Sequence, residues 1–271
     1  MSITVVHLLR HGKVQNPADI LYGRLPGYRL ASSGRAMAAG VADHLAGSDV
    51  TYLAASSLQR AQETAAPLAA IFGLPVLTDD RVIEAANDFE GLSFSLATIR
   101  SRQGALGNAR NLAKFRDPRR PSWGEPYLEI AHRMLAAIYT AVNAADGHEA
   151  VLVSHQLPIV TVRRFLQGQR LWHDPRHREC SVASLTSLTF RDGVFESARY
   201  SEPVAAIPAV NDPVDDSLPA AVAVLTAAKD PEVVADTVLQ VKASDAVLTD
   251  PALADAALSD AVARAKGDAA T

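Results

Sequence analysis

The chain of 271 residues holds a single cysteine, Cys180, which excludes an internal disulfide framework and a cysteine-rich zinc module. It lacks an excess of basic charge. A net charge of -4 at neutral pH argues against a dedicated nucleic-acid binder, which carries a basic footprint. No apolar run approaches the ~20 residues that a membrane-spanning helix needs. The first residues, MSITVVHLLRHGK, lack the basic n-region and the unbroken apolar stretch of a secretory signal, because Arg10 and His11 interrupt the run. These absences predict a reducing, cytoplasmic setting with neither nucleic acid nor membrane as partner. What is present suffices for a globular body: 48% hydrophobic and 21% charged residues exclude disorder of the whole chain.

Aromatic residues and glycine are missing from one region. Residues 201–271 contain no aromatic side chain and one glycine, Gly267. Their 10 Asp and 2 Glu against 3 Lys and 1 Arg give -8, which leaves +4 on the preceding 200 residues. The reading is a basic body at 1–202 joined to an Ala/Asp-rich acidic tail at 203–271, weakly helical or disordered. The join runs through Pro203, Pro208, Pro213 and Pro219, each of which breaks helix. Within the tail, Asp230-Pro231-Glu232 and Asp250-Pro251 resemble helix starts.

The body alternates two periodicities. Continuous β-branched runs at 3–9, 50–54 and 150–154 predict buried strands, with a short strand starting at 76–77. Apolar residues spaced by four predict helices at 33–45, 58–72, 125–145 and 158–166. Segments 184–190 and 194–200 form a predicted hairpin about Asp192-Gly193. Strands alternating with helices imply an α/β fold, a three-layer αβα sandwich with a mostly parallel central sheet. In such sheets the chemistry lies just past the carboxyl ends of the strands.

Two strands end alike. Val5 to Leu9 runs into Arg10-His11-Gly12, and Val151 to Ser154 runs into His155-Gln156. If these strands are neighbours, both imidazoles face one pocket. A third strand leads into Ser56-Ser57-Leu58-Gln59-Arg60, where either serine is a candidate cap and Arg60 falls in the first helical turn. Arg10, Arg60, His11 and His155 together suit a tetrahedral dianion, since guanidinium forks match phosphate oxygens bidentately.

Leu9-Arg10-His11-Gly12, the stretch from Ser56 to Ala65, Glu84 with Phe89-Glu90-Gly91, and Val153-Ser154-His155 resemble, in order, the motifs of the histidine phosphatase family, whose fold is phosphoglycerate mutase-like. The resemblance spans Ile3 to about Tyr200. It implies that His11 is the nucleophile, that Arg10, Arg60 and His155 hold the non-bridging oxygens, and that Glu84 is the general acid, with Asp88 and Glu90 as fallbacks. Acid catalysis by Glu84 requires a raised pKa, and attack by His11 requires a neutral imidazole whose other nitrogen is held by a backbone carbonyl. Asn16, Lys13, Arg24 and Gln156 are the implied substrate contacts. Lys13 stands where the family commonly has glutamate or glutamine, Gln156 where it has glycine, and Ala31 where it has serine or threonine.

The expectation is thus a metal-independent phosphatase, without cofactor, that hydrolyses a small phosphorylated metabolite through a phosphohistidine. A phosphoglycerate mutase is the alternative, disfavoured because the first loop lacks the extended RHGESxWN form. An interaction protein that binds phosphorylated ligands without turnover is another. Monomer or homodimer is left open. The pattern His173-x3-His177-x2-Cys180 lacks a second cluster to complete a metal site. The basic stretch Arg116, Arg119, Arg120 with Trp123 reads as a solvated loop or, more sharply, a substrate lid.

Overall fold

The computed structural model describes residues 2–91, 124–173 and 178–213. The tail phrases, Arg116 to Trp123 and His177 lie outside the described residues. The elements are β1 (Ile3–Arg10), α1 (Ser32–Leu45), β2 (Val50–Ala55), α2 (Gln59–Phe72), β3 (Leu77–Thr78), a 3-10 turn (Asp80–Val82), α3 (Tyr127–Ala145), β4 (Glu149–Ser154), α4 (Gln156–Leu166), β5 (Leu185–Arg191) and β6 (Val194–Ser201). The six strands form one sheet in the order β3-β2-β4-β1-β5-β6. Strands β3, β2, β4 and β1 are parallel, and β5 and β6 add an antiparallel hairpin. The sheet is mostly parallel, as the alternation predicted.

Period-two alternation sorts the strand residues onto two cores. Val6, Leu8 and Leu152 face one way and pack with Ile130, Met134 and Ile138 of α3 and with Ile159 and Val160 of α4. Leu9, Val151 and Val153 face the other way and pack with Met37 and Val41 of α1 and with Ala61, Ala65 and Leu68 of α2. Each face therefore carries a helical layer. Burial of both faces explains why β1 and β4 read as continuous apolar runs. Among the described residues, no helix is long and apolar enough to cross a membrane.

Strands β1 and β4 are direct neighbours, with Arg10 opposite Ser154. The turn after β1 needs glycine on both sides of a close approach: a Cβ on Gly12 would lie 2.5 Å from the Gly34 carbonyl oxygen, and one on Gly34 would lie 2.0 Å from that of Lys13. The β5–β6 turn places Asp192 and Gly193 at φ 48° and 77°, the left-handed pair that a two-residue hairpin loop favours.

Several boundaries differ from the sequence reading. Helix α3 starts at Tyr127 rather than 125, because Pro126 is extended (φ -61°, ψ 141°) and stands outside the helix. Helix α4 starts at Gln156, two residues before Pro158. Neither Ser56 nor Ser57 caps α2: the N-cap is Leu58, without a side-chain hydrogen bond. The Ser57 amide instead donates to Asp80 Oδ1 at 3.0 Å.

The compact unit runs Met1–Asp212, ten residues past the 202 boundary and inside the proline-rich join. Val204 is buried in the α1/α2 core and Ile207 packs against it. The Ser33 hydroxyl donates to the Val210 carbonyl at 2.6 Å, and Gln15 exchanges hydrogen bonds with the Asp212 backbone. Ala31, the N-cap of α1, has no side chain that can accept from the first turn. Asp212 Oδ1 does so from the far end of the body, 2.7 Å from the Ser32 amide. The hydrogen bonds from Ser32 lower the Asp212 pKa. A chain ending at Glu202 is expected to melt about 5 °C or more below one ending at Asp212, as read by thermal unfolding. Equal melting temperatures would show that residues 203–212 contribute nothing to the fold.

Candidate active site

Strand β1 delivers Arg10 and His11 to its carboxyl end, where the His11 amide donates to the Ser154 carbonyl at 3.1 Å and so docks against β4. His11 is 2% exposed. Its Nδ1 lies 2.8 Å from the Gly12 carbonyl oxygen, a partner that can only accept. The proton therefore sits on Nδ1, and Nε2 keeps its lone pair. Burial first, then Arg60 and Arg10, drives the His11 pKa well below the usual imidazole value. This is the neutral, oriented imidazole that nucleophilic attack requires.

His155 follows β4 and is fully buried, its ring centroid 5.1 Å from that of His11. Burial, followed by Arg60 and His11, also lowers its pKa well below the usual value. Ser56 Oγ, at the end of β2, lies 2.7 Å from His155 Nε2. With the hydroxyl donating, His155 Nδ1 carries the hydrogen. Among the described residues, no group accepts it.

Arg60 sits in the first turn of α2 and is 1% exposed. Its Nη2 donates to the Gly23 carbonyl at 2.6 Å, and its guanidinium lies 4.8 Å from the Tyr22 ring centre. Thr64, one turn on, accepts the Gly12 amide at 3.1 Å and donates to the Arg60 carbonyl at 2.7 Å. It thereby ties the turn after β1 to α2. Arg10 Nη1 donates to the Cys180 carbonyl at 2.5 Å. The buried Nε groups of Arg10 and Arg60 have no hydrogen-bond partner among the described residues. Buried polar groups are ordinarily satisfied, so three unmatched donors beside one nucleophilic nitrogen describe a receptor for an anion with several acceptor oxygens.

Glu84 lines a cavity of about 390 Å³ together with Arg10, His11, Lys13 and Gln156. Its Oε1 accepts from the Ala85 amide at 2.9 Å. Three long-range donors fix the backbone that carries it: Ser154 Oγ to Val82 O at 2.6 Å, Arg133 Nη1 to Arg81 O at 2.7 Å and Arg24 Nε to Glu84 O at 2.6 Å. Arg60 and His155 do not line this cavity; they are buried beside His11.

Two implied substrate contacts have other work. Arg24 is not at the cavity wall. Besides the Glu84 carbonyl, its guanidinium pairs with Glu125 at 2.9 Å, and Glu125 also pairs with Arg133. Arg24 is thus a brace for Glu84, because the turn at Gly23 points it toward the 81–84 segment. Asn16 does line the cavity, but both ends of its amide bind the Ile20 backbone, at 2.8 and 3.1 Å, and close the 16–20 loop. Of the fallback acids, Glu90 accepts from the Arg24 amide at 2.9 Å and anchors the same turn. Sequence reasoning missed Tyr22, Ser56 as a partner of His155, Thr64 and Arg178. Thr64 alone left a local signal, its spacing of four from Arg60 on one helix face.

The sequence profile of the histidine phosphatase superfamily (branch 1) matches residues 6–203. A Mycobacterium tuberculosis (strain H37Rv) protein described as uncharacterized protein Rv0525 is 51% identical over 202 residues, which are 74% of this chain and 98% of that protein. The probable phosphoglycerate mutase GpmB of Escherichia fergusonii is 26% identical over 185 residues, 66% of this chain and 82% of its own. Among solved structures, the mycobacterial glucosyl-3-phosphoglycerate phosphatase Rv2419c matches with a TM-score of 0.57 at 27% identity, over 73% of this chain and 96% of that one.

Proposed function

The chain belongs to the histidine phosphatase superfamily, and from that premise we propose that it is a metal-independent phosphomonoesterase acting on a small phosphorylated metabolite through a phosphohistidine. The observation that carries this reading is the set of unmatched buried donors, Arg10 Nε, Arg60 Nε and His155 Nδ1, around the free Nε2 of a neutral His11. Phosphoryl transfer needs placement and charge stabilisation more than covalent help. Two guanidinium groups and an imidazole N–H, fixed before substrate arrives, supply that stabilisation without a metal ion.

In the first step His11 Nε2 attacks phosphorus, the P–N bond forms and the P–O bond to the leaving group breaks. Glu84, protonated, delivers its proton to the leaving oxygen. In the second step Glu84 as carboxylate removes a proton from water, whose oxygen attacks phosphorus, and His11 leaves with its lone pair restored. The braces on the 81–84 backbone keep the carboxyl group at the cavity wall through both steps.

The test is hydrolysis of p-nitrophenyl phosphate with EDTA present, together with rapid acid-free quenching of labelled enzyme. Release of nitrophenol and an acid-labile, alkali-stable phosphate on the protein are expected. In the same series, Glu84→Gln should slow alkyl phosphates about 10²- to 10⁴-fold and the activated aryl ester far less. No turnover from pH 4 to 8, or turnover only with added metal, would reject the proposal. The likeness to a probable phosphoglycerate mutase supports a second reading, in which the phosphoryl group returns to substrate. Interconversion of 3- and 2-phosphoglycerate that outpaces phosphate release, with 2,3-bisphosphoglycerate added, would establish it instead.

A further inference from the structure

Residues 11–31 join β1 to α1 without a helix or named strand of their own. Such a connection is well past the ~12–15 residues at which unstructured loops become uncommon in compact domains. Its first half forms one wall of the cavity, which Lys13, Asn16, Ile20, Leu21 and Tyr22 all line. From within, the loop is held by a Val14–Leu30 bridge and by the Gln15 amide, which donates to the Arg29 carbonyl at 2.9 Å. The Asn16 side chain closes its 16–20 turn on the Ile20 backbone. Further support comes from residues 210–212, far along the chain.

The segment after β6 runs along α1 toward the N-terminus of that helix. Val204 lies over Gly40, where a Cβ would stand 2.8 Å from Val204 Cγ1. The Val210 carbonyl accepts from the Ser33 hydroxyl, and Asp212 Oδ1 accepts from the Ser32 amide. From there the segment reaches the loop. The Asn16 amide donates to Asn211 Oδ1 at 3.0 Å, and Asn211 Nδ2 faces the Asn16 carbonyl at 3.5 Å. Gln15 Nε2 donates to the Asp212 carbonyl at 3.2 Å, and the Asp212 amide donates to Gln15 Oε1 at 2.7 Å. Residues 211 and 212 thus hold both ends of the excursion, where it leaves the turn after His11 and where it enters α1. Asn16 is the junction, because its backbone is bound by Asn211 while its side chain shapes the turn at the cavity wall.

None of these bonds touches Arg10, Arg60 or His155, and neither Asn211 nor Asp212 lines the cavity. We propose that Asn211 is a positioning residue for substrate binding. Acting through Asn16, it fixes the wall that receives the organic part of the substrate, so that affinity for this part, and not for the phosphoryl group, depends on the segment after β6. The proposal rests on the placement of the phosphoryl group against His11 given above.

Two probes are titrated calorimetrically into the full chain. Inorganic phosphate fits the cage alone, and 4-nitrobenzylphosphonate adds an aryl group that extends toward Ile20, Leu21 and Tyr22. Asn211→Ala is expected to weaken the phosphonate about 3- to 10-fold, the scale of one or two net hydrogen bonds, and phosphate by less than about twofold. Hydrogen exchange should rise in residues 14–22 and stay unchanged in the middle of α1. Asn211→Asp, whose carboxylate still accepts from the Asn16 amide, should restore most of both, which a general loss of stability would not produce. Gln15→Ala, made from the loop side, should repeat the selective loss and stands in if the Asn211 variant unfolds. Equal weakening of both probes, an unchanged phosphonate affinity or unchanged exchange in residues 14–22 overturns the proposal and leaves the phosphatase reading intact. A wild type that binds neither probe overturns both.

Discussion

His11→Ala is expected to lower kcat/KM for p-nitrophenyl phosphate by about 10⁴-fold or more and to abolish labelled phosphate on the protein. The size follows from the geometry. Gly12 fixes the tautomer, burial and two arginines keep the ring neutral, and among the described residues no other nucleophilic nitrogen is so placed: His155 uses Nε2 toward Ser56. The remaining cage would still bind the dianion, so KM should change far less than kcat. Inorganic phosphate should protect both forms against thermal unfolding. Acid-labile phosphate persisting on the variant would move the nucleophile elsewhere and reject the role assigned to His11. In the wild type, the acid limb of kcat/KM should lie below pH 6.5, because the His11 pKa is lowered from that value and the ring stays neutral under mild acid.

Arg60→Met is expected to lower kcat about 10²- to 10³-fold, the scale for removing one fixed donor to transition-state charge. Methionine roughly keeps the volume of a side chain that is 1% exposed. It removes the fork, the hydrogen bond to Gly23 and the charge beside Tyr22. A second consequence has a definite sign. Arg60 is the leading charge that lowers both imidazole pKa values, behind burial. Without it, protonated His11 becomes easier to form, its pKa rises and the acid limb moves to higher pH. A kinetic pH profile of wild type and variant reads the two effects separately. A drop in kcat with an unmoved acid limb would mean that Arg60 acts on substrate alone. An unchanged kcat would remove it from the site.

Stability against pH follows the same logic. His11 and His155 are buried neutral, with pKa values below that of an exposed imidazole. The unfolded chain therefore binds more protons than the folded one as pH falls through about 6.5. Their neutral burial is favourable above that pH and is progressively opposed below it.

The one-dimensional pattern of residues determined a good deal of this molecule. Apolar period determined the β/α alternation, and hence a sheet covered on both faces, because burial of a strand or a helix face imprints itself on nearest neighbours in sequence. The ends of β1 and β4 advertised His11 and His155, since an apolar run that stops at a polar residue marks where a strand leaves the core. Tertiary structure alone decided which distant groups meet. It placed β1 beside β4, put Ser56 against His155 instead of capping α2, and turned Arg24 from a substrate contact into a brace for Glu84. It also brought Asp212 across 180 positions to the first turn of α1. These pairings depend on chain closure between segments far apart in sequence. No local periodicity records them, because each partner satisfies its own secondary structure equally well whether or not the other arrives.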